Sequence, residues 1–256
     1  MSPLPVLEHA WVVEAMVVSY NHIYKVVHNT KYHDLKTIGV SDYGDAPIAS
    51  FQIEFLAMDK DPRKIVKAIS KYEVNGRKYV VNVFHGAPSA RDIKAQYAEH
   101  GFEFVRTGPI LGLNIPAPML GDVGQVKKIE TKEQLDEANK QLSVEGENIP
   151  PESLSDGHIH NFISEWKGRV AGWAQLVTIF PDVGYVNQLY TMTDLRNNRI
   201  GTSLMTHVHA YCTGLGIKRV GLVSSDIALG VYRRFGYRPL AYFTVFRPKG
   251  EGPENA

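Results

Sequence analysis

An α+β fold of two related domains, each a mixed twisted sheet flanked by helices, is predicted by three features of the 256-residue sequence. The second half runs through helix-like and strand-like segments in the order α-β-β-β-α-β-α-β, which makes a mixed sheet. Part of that order recurs in the first half, where Tyr97, Gly101 and Phe102 match Tyr232, Gly236 and Tyr237 at a constant offset of 135 positions. Between the halves, residues 107–124 are dense in Gly and Pro and read as a boundary. The domains are accordingly placed at 1–120 and 124–249.

The elements of the second half follow in order. Thr131 caps a helix over 133–142, and Ile149-Pro-Pro-Glu-Ser closes that region. A strand at 158–166, the turn Lys167-Gly168-Arg169 and a strand at 170–180 make a hairpin; Pro181-Asp182 then turns the chain into a strand at 185–192. Residues 201–213 form a helix, with Leu204, Met205, Val208 and Tyr211 at three- and four-residue spacing. A short strand at 219–224, a helix at 227–235 and a strand at 240–246 complete the half. In the first half, a β run at 51–58, a helix at 63–70, a buried-strand run at 78–84 and a helix at 90–100 precede the aromatic Phe102. In each half the Gly sits where a helix C-terminus calls for a left-handed residue.

Composition excludes several classes. Hydrophobic residues at 44% and charged residues at 21% are globular usage. A formal net charge of +1 supplies no field toward nucleic acid or an anionic membrane. The single Cys212 excludes an intramolecular disulfide and a multi-cysteine zinc module, fits a reducing compartment, and reads as a small buried hydrophobe on its helix. Apolar runs fall far short of the ~18 residues that span a bilayer, and the start Met-Ser-Pro-Leu-Pro lacks the basic segment of a secretory signal. A cytoplasmic location is expected. His158 and His160 share a strand face without a third ligand at useful spacing, so no metal is expected; His207 and His209 are expected at the surface.

The informative stretch is Leu189-Tyr-Thr-Met-Thr-Asp-Leu-Arg196-Asn-Asn-Arg-Ile-Gly201-Thr-Ser-Leu-Met. A strand stops, a polar loop follows, and a helix starts at the Gly, so unpaired N–H groups and a positive helix end are available to an anion. Downstream stand Val220 to Ser224, Asp226 and Tyr232-Arg-Arg-Phe-Gly236-Tyr237. Across about 125–248 this pattern resembles the GCN5-related N-acetyltransferase (GNAT) superfamily. Its Arg/Gln-x-x-Gly-x-Gly/Ala loop corresponds to Arg196-Asn197-Asn198-Arg199-Ile200-Gly201, and its Tyr…Gly-Phe signature to Tyr232…Gly236-Tyr237.

The resemblance implies a transferase using acetyl-CoA as co-substrate. Its cofactor-binding set would be Leu189, Tyr190 and Thr191 on the fourth strand of the domain, Arg196, Asn197, Asn198, Arg199, Ile200, Gly201, Thr202 and Ser203 in the loop and helix start, and Asp226 and Tyr232 downstream. Backbone amides from Asn197 to Thr202 would cradle the pyrophosphate, donors on the fourth strand would stabilise an oxyanion, and Tyr232 would protonate the departing thiolate. The reaction implied is direct attack by a primary amine of a small molecule in a ternary complex. A longer-chain acyltransferase and a non-catalytic acyl-CoA-binding scaffold or sensor are the alternatives, and a homodimer is left open.

Two departures stand out. Arg199 replaces the Gly that lets phosphate approach, which helical dihedrals at Arg199 would accommodate. The fourth strand reads Tyr185-Val-Asn187-Gln-Leu with no Glu, leaving Glu165, Asp226, His160 or a water chain as base. The first half has Asp59-Lys-Asp-Pro62 in place of the loop; two carboxylates and a missing amide oppose phosphate, so this half resembles a degenerate copy.

Overall fold

The computed structural model describes residues 10–35, 38–44, 51–87, 89–122, 125–225 and 227–250. In chain order the elements are α1 (Ala10–His28), β1 (Lys31–Asp34), β2 (Ile38–Asp42), β3 (Ile53–Ala57), α2 (Pro62–Ile69), β4 (Tyr79–His85), α3 (Arg91–Glu99) and β5 (Phe102–Asn114). There follow β6 (Val126–Lys128), α4 (Lys132–Leu142), β7 (Ile159–Trp166), β8 (Arg169–Val177), β9 (Val183–Thr191), α5 (Ile200–Gly214), β10 (Arg219–Val223), α6 (Leu229–Phe235) and β11 (Arg238–Pro248). The described residues fall into two compact units, one within 1–17, 28–110 and 239–256, the other within 18–27 and 111–238.

In the first unit β1, β2 and β3 run antiparallel, β3 pairs parallel with β4, and β11 joins antiparallel to β4. The parallel pair requires a crossover, and α2 supplies it. That helix starts at Asp61, whose side chain accepts from the Arg63 N–H, with Pro62 in the first turn where its missing donor costs nothing. Its Ile65 and Ile69 bury against Val40, Phe55, Val81, Val83, Tyr97 and Phe246.

In the second unit β6, β7, β8 and β9 form an antiparallel run, and β9 pairs parallel with β10. Helix α5 is the crossover. Its stripe of Leu204, Met205, Val208 and Cys212 is fully buried against Phe162, Ala174, Leu176, Val186 and Leu222. The other face is covered by α4, whose Leu135, Ala138 and Leu142 meet Ile163 and Trp173. A reciprocal capping box between Thr131 and Gln134 fixes the start of α4.

The expected helices and strands are present within a few residues of their predicted ends. Gly101 and Gly236 hold φ of 84° and 93°, the left-handed values anticipated at the two helix ends. Several features depart from expectation. Helix α1, strands β1 and β2 and the short β6 were not anticipated. Strand β5 runs through Gly108 and Pro109 to Asn114, into the stretch read as a boundary. The residues from Pro239 onward group with the first unit, and 18–27 with the second, so the units are not the linear segments 1–120 and 124–249. His209 is 2% exposed, not a surface residue, because its Nε2 lies 2.8 Å from the Tyr237 hydroxyl inside the core.

Gly172 holds β8 against β9. A Cβ there would lie 2.3 Å from the Tyr190 carbonyl oxygen and 3.1 Å from the Thr191 Cα, both backbone atoms unable to step aside cheaply. Gly172→Ala is expected to lower stability by about 1–3 kcal/mol, measured by urea denaturation, whereas an alanine at Gly157, which meets nothing within 4 Å, changes it by less than about 0.5 kcal/mol.

Candidate functional site

The parallel ladder between β9 and β10 stops at Val186, opposite Leu222. The register of β9 on β8 shifts at the same place: Leu176 faces Val186 and Gln175 faces Gln188, so Asn187 is an extra residue. A bulge bends the strand that carries it. From Asn187 to Thr191, β9 keeps its partners on β8 and has none on β10, and its residues change from buried to half-buried. A row of backbone donors and acceptors is thereby open along one strand edge.

The loop after β9 faces the same end. Asn197 and Arg199 both lie at positive φ, 67° and 60°, with Asn198 between them at negative φ, and such alternation turns successive N–H groups into one concavity. The Asn198 side chain donates to the Leu195 and Arg196 carbonyls and closes the loop. Arg199 is therefore left-handed, not helical as its tolerance was expected to require. It is the N-cap of α5, and no side chain caps the helix nor is any acidic residue in its first turn. Arg234 on α6 donates to the Thr202 hydroxyl at 3.1 Å, adding positive charge beside that open terminus. Gly201 brings the first turn onto β9: a Cβ there would lie 3.6 Å from Thr191 Oγ1 and 3.8 Å from Leu189 Cδ2.

Leu189, Thr191 and 196–203 are thus brought together with the open edge of β9. Tyr232 belongs to the same cluster as Leu222 and Val186, is 4% exposed, and its hydroxyl makes no hydrogen bond among the described residues. Burial pushes that hydroxyl well above the ordinary tyrosine range, so it stays protonated. Tyr190 points the other way, into the α4-side cluster, where it donates to Glu145. Glu165 is on β7, two strands from β9, in an ion pair with Lys127 at 2.8 Å. His160, also on β7, bonds Thr178 at 3.0 Å, and desolvation followed by Lys128 lowers its pKa to about 4. Asp226 lies outside the described residues. The structure does not bring Glu165 or His160 to the opening.

One arrangement was missed from sequence. Asn187 Nδ2 donates to Gln175 Oε1 (2.8 Å), Gln175 Nε2 to Asn161 Oδ1 (3.0 Å), and Asn161 Nδ2 to Ser153 Oγ (2.7 Å). This ladder of amides crosses β9, β8 and β7 and fixes Asn187 at the bulge. Its only trace in the sequence was one amide within each of three strand-like segments, at Asn161, Gln175 and Asn187. Cys212 is fully buried, as expected, and burial pushes its thiol up to about 12. Among the described residues no group of three or more His, Cys, Asp or Glu is placed to hold a metal, and no helix is long and apolar enough to cross a membrane.

Residues 126–237 match the family model described as acetyltransferase (GNAT) family. No curated protein matches the sequence. Among solved structures, a GCN5-related N-acetyltransferase from Kribbella flavida aligns with a TM-score of 0.67 at 17% identity, over 92% of this chain and 96% of that one. A GCN5-related N-acetyltransferase from Sphaerobacter thermophilus aligns at 0.57 and 14%, over 95% and 93%. A tandem GNAT protein from the clavulanic acid biosynthesis pathway aligns at 0.57 and 12%, over 85% and 79%. The chain shares their fold.

A left-handed Arg199 carries a cost of about 1 kcal/mol that glycine avoids. Arg199→Gly is expected to leave stability unchanged or raise it by up to about 1 kcal/mol, and Arg199→Val to lower it by about 1–2 kcal/mol, because a β-branched residue tolerates positive φ least. Thermal and urea unfolding of the two variants measure the difference.

Proposed function

We propose that this chain is a GNAT acyltransferase whose second unit moves an acetyl group from acetyl-CoA to a primary amine of a small molecule. The observation that carries the reading is the divergence of β9 from β10 at Val186 beside the uncapped N-terminus of α5. Together with the match over 126–237, it supports a site that takes an extended thioester along a strand edge with its diphosphate at a helix end.

The residues fit that co-substrate. The concave loop at 197–199 and the first amides of α5 suit a diphosphate, and Arg196, Arg199 and Arg234 add cationic side chains without an acid in that turn. When bound, the thioester supplies the activated acyl group. Unpaired N–H groups of β9 beyond Val186 are donors for the acyl oxygen. Tyr232, held neutral by burial, is a proton donor for the leaving sulfur. Cys212 is sealed and its thiol pushed to about 12, so a covalent relay through it has no nucleophile, and direct attack by the amine is the route. Neither Glu165 nor His160 stands ready at the opening, so the amine's proton leaves through water, with Asp226 as the alternative acceptor.

The first unit reads as a degenerate copy. It repeats a parallel strand–helix–strand, β3–α2–β4, but Asp61 caps α2 with its own carboxylate, filling the place a phosphate would take. Calorimetric titration is expected to find one acetyl-CoA per chain, and two sites would overturn the degenerate assignment. A second reading, an acyl-CoA-binding scaffold, is favoured by the amides Asn187 and Gln188 where a base would help; saturable binding with no transfer across a broad amine panel would establish it.

For the enzyme, Tyr232→Phe should lower kcat by about 10²-fold or more with acetyl-CoA binding retained. The pH dependence has a defined sign. The Tyr232 pKa is raised above its ordinary value of 10.0, so the donor form persists through pH 10, and kcat/KM should rise with pH as the amine deprotonates. A fall in rate between pH 8 and 10 that vanishes in Tyr232→Phe would contradict this.

A further inference from the structure

The turn after α4 delivers a carboxylate to the open stretch of β9. Both oxygens of Glu145 are engaged there: the Tyr190 hydroxyl, the Thr193 N–H and the Thr193 hydroxyl all donate to it. Gly146 follows at φ 77°. Two residues on, the Asn139 side chain donates to the Ile149 carbonyl at 2.9 Å and accepts from its N–H at 2.8 Å. Between these anchors stands Glu147, half-buried. Its Oε2 accepts from Trp173 Nε1 on β8 at 3.2 Å and from Gln188 Nε2 on β9 at 3.4 Å. Among the described residues its Oε1 takes no hydrogen bond, and the carboxylate has no ion pair. Two neutral donors on one oxygen leave the other able to take a charged donor.

Gln188 relates that carboxylate to the reaction. It follows the bulge, within the stretch where β9 has no partner on β10. This inference rests on the function proposed above, in which the diphosphate sits at 197–202 and the thioester extends along the strand edge. The open edge from Thr191 back to Asn187 spans about 13 Å at roughly 3.3 Å per residue, so the reacting end lies at the bulge, beside Tyr232 with Val186 and Leu222. The Gln188 side chain leads from that end to Glu147 on the α4 side, whereas Leu189 and Tyr232 face the α5 side. Glu147 and Tyr232 therefore approach the reacting end from opposite faces of the sheet. Gln188 is no base, but it holds one.

We propose that Glu147 holds the acceptor's ammonium across one water and receives its proton through that water. The N–H bond breaks and its electron pair stays on nitrogen, which bonds to the acyl carbon as the C–S bond breaks. The proton passes to Glu147 and then to solvent. The sulfur takes the Tyr232 proton, and the proton shed by the new amide nitrogen restores Tyr232. Around Glu147 stand the neutral Trp173 and Gln188, the Tyr190 phenol and Glu145, with the Arg196 charge near Glu145. Burial and then the bond to Glu145 raise Tyr190, and the bonds from Tyr190 and Thr193 lower Glu145, so neither titrates between pH 7 and 10.

Glu147→Gln keeps an oxygen for Trp173 and Gln188 and removes the charge. The probes are propylamine, an ammonium with a pKa near the ~10.4 of lysine, and hydroxylamine, which is uncharged at pH 8. Each is supplied to the full chain with acetyl-CoA, and thiol release is followed. Glu147→Gln should lower kcat/KM for propylamine by about 10²-fold at pH 7, lose that deficit toward pH 10, and leave hydroxylamine turnover and acetyl-CoA affinity unchanged. A second readout needs no turnover: in the CoA-saturated protein, propylammonium should shift the Trp173 indole N–H signal saturably by NMR, and Glu147→Gln should abolish the shift. An equal loss with both amines, no loss with propylamine, or a silent indole signal overturns the role of Glu147 and leaves acyl transfer standing. Transfer to neither amine, with the indole signal still responding, overturns acyl transfer and the proton step with it, and leaves Glu147 as an ammonium site only.

Discussion

Two neighbouring parallel strands that pair as far as Val186 and Leu222 and then stop pairing are the constraint on which the second unit depends. Backbone N–H and C=O groups demand partners, and within a sheet each strand obtains them from its neighbours. The extra residue at Asn187 bends β9 while its other edge remains tied to β8 through Gly172. Each donor beyond that point that faces away from β8 must be satisfied by water or by a ligand that lies along the strand. The amide ladder from Asn187 through Gln175 and Asn161 to Ser153 holds the bulge, so the opening is built into the sheet and its shape does not wait for a ligand.

The same local architecture, a parallel β-α-β, is used twice with opposite electrostatic outcomes. At α5 the terminus carries no side-chain cap, a left-handed Arg199 and an adjoining Arg234. At α2 the terminus carries Asp61, which accepts from the Arg63 N–H and pairs with its guanidinium. A carboxylate that caps its own helix contributes about 1 kcal/mol to stability and removes the anion site in one step. Asp59 reinforces this by accepting from the Asp61 N–H and pairing with Lys64. The chemistry divides at the N-caps of α2 and α5, not in the sheets.

Much of this was legible in the sequence because periodicity and punctuation are local. The stripe at Leu204, Met205 and Val208, the hairpin at Lys167 and Gly168, and the left-handed Gly101 and Gly236 depend on neighbours within a few residues. What escaped depends on partners far along the chain. Nothing near Asn187 announces a bulge, since its cause is the mismatch between β8 and β9. Helical dihedrals were the condition under which Arg199 was expected to replace glycine, because a Cβ disfavours positive φ by about 1 kcal/mol; the loop imposes positive φ instead, since Asn198 locks the turn through the Leu195 and Arg196 carbonyls. Tyr190 was grouped with Leu189 and Thr191 by adjacency, yet alternation along a strand sends it to the opposite face, onto Glu145. Strand β5 passes through Gly108 because that glycine sits where a Cβ would meet the Phe243 ring at 2.8 Å, so a residue read as a breaker is a packing requirement.

Tyr97 and Tyr232 show how far repetition of sequence constrains repetition of role. Both follow a parallel β-α-β, both precede a left-handed glycine, and burial raises the hydroxyl pKa of both. Tyr97 stacks on Phe246 with centroids 4.3 Å apart and has a sealed hydroxyl without a partner. An unmatched buried hydroxyl costs about 1–3 kcal/mol, yet the ring it belongs to anchors the first unit's core. Tyr232 instead joins Val186 and Leu222, the two residues at which β9 and β10 part. A phenol kept neutral at that point is a proton donor wherever a leaving group comes to rest against it, whereas the phenol of Tyr97 is sealed in the core near the carboxylates of Asp59 and Asp61. On the function proposed above, position relative to an open strand edge, and not residue type or spacing, is what separates the proposed proton donor from a structural tyrosine.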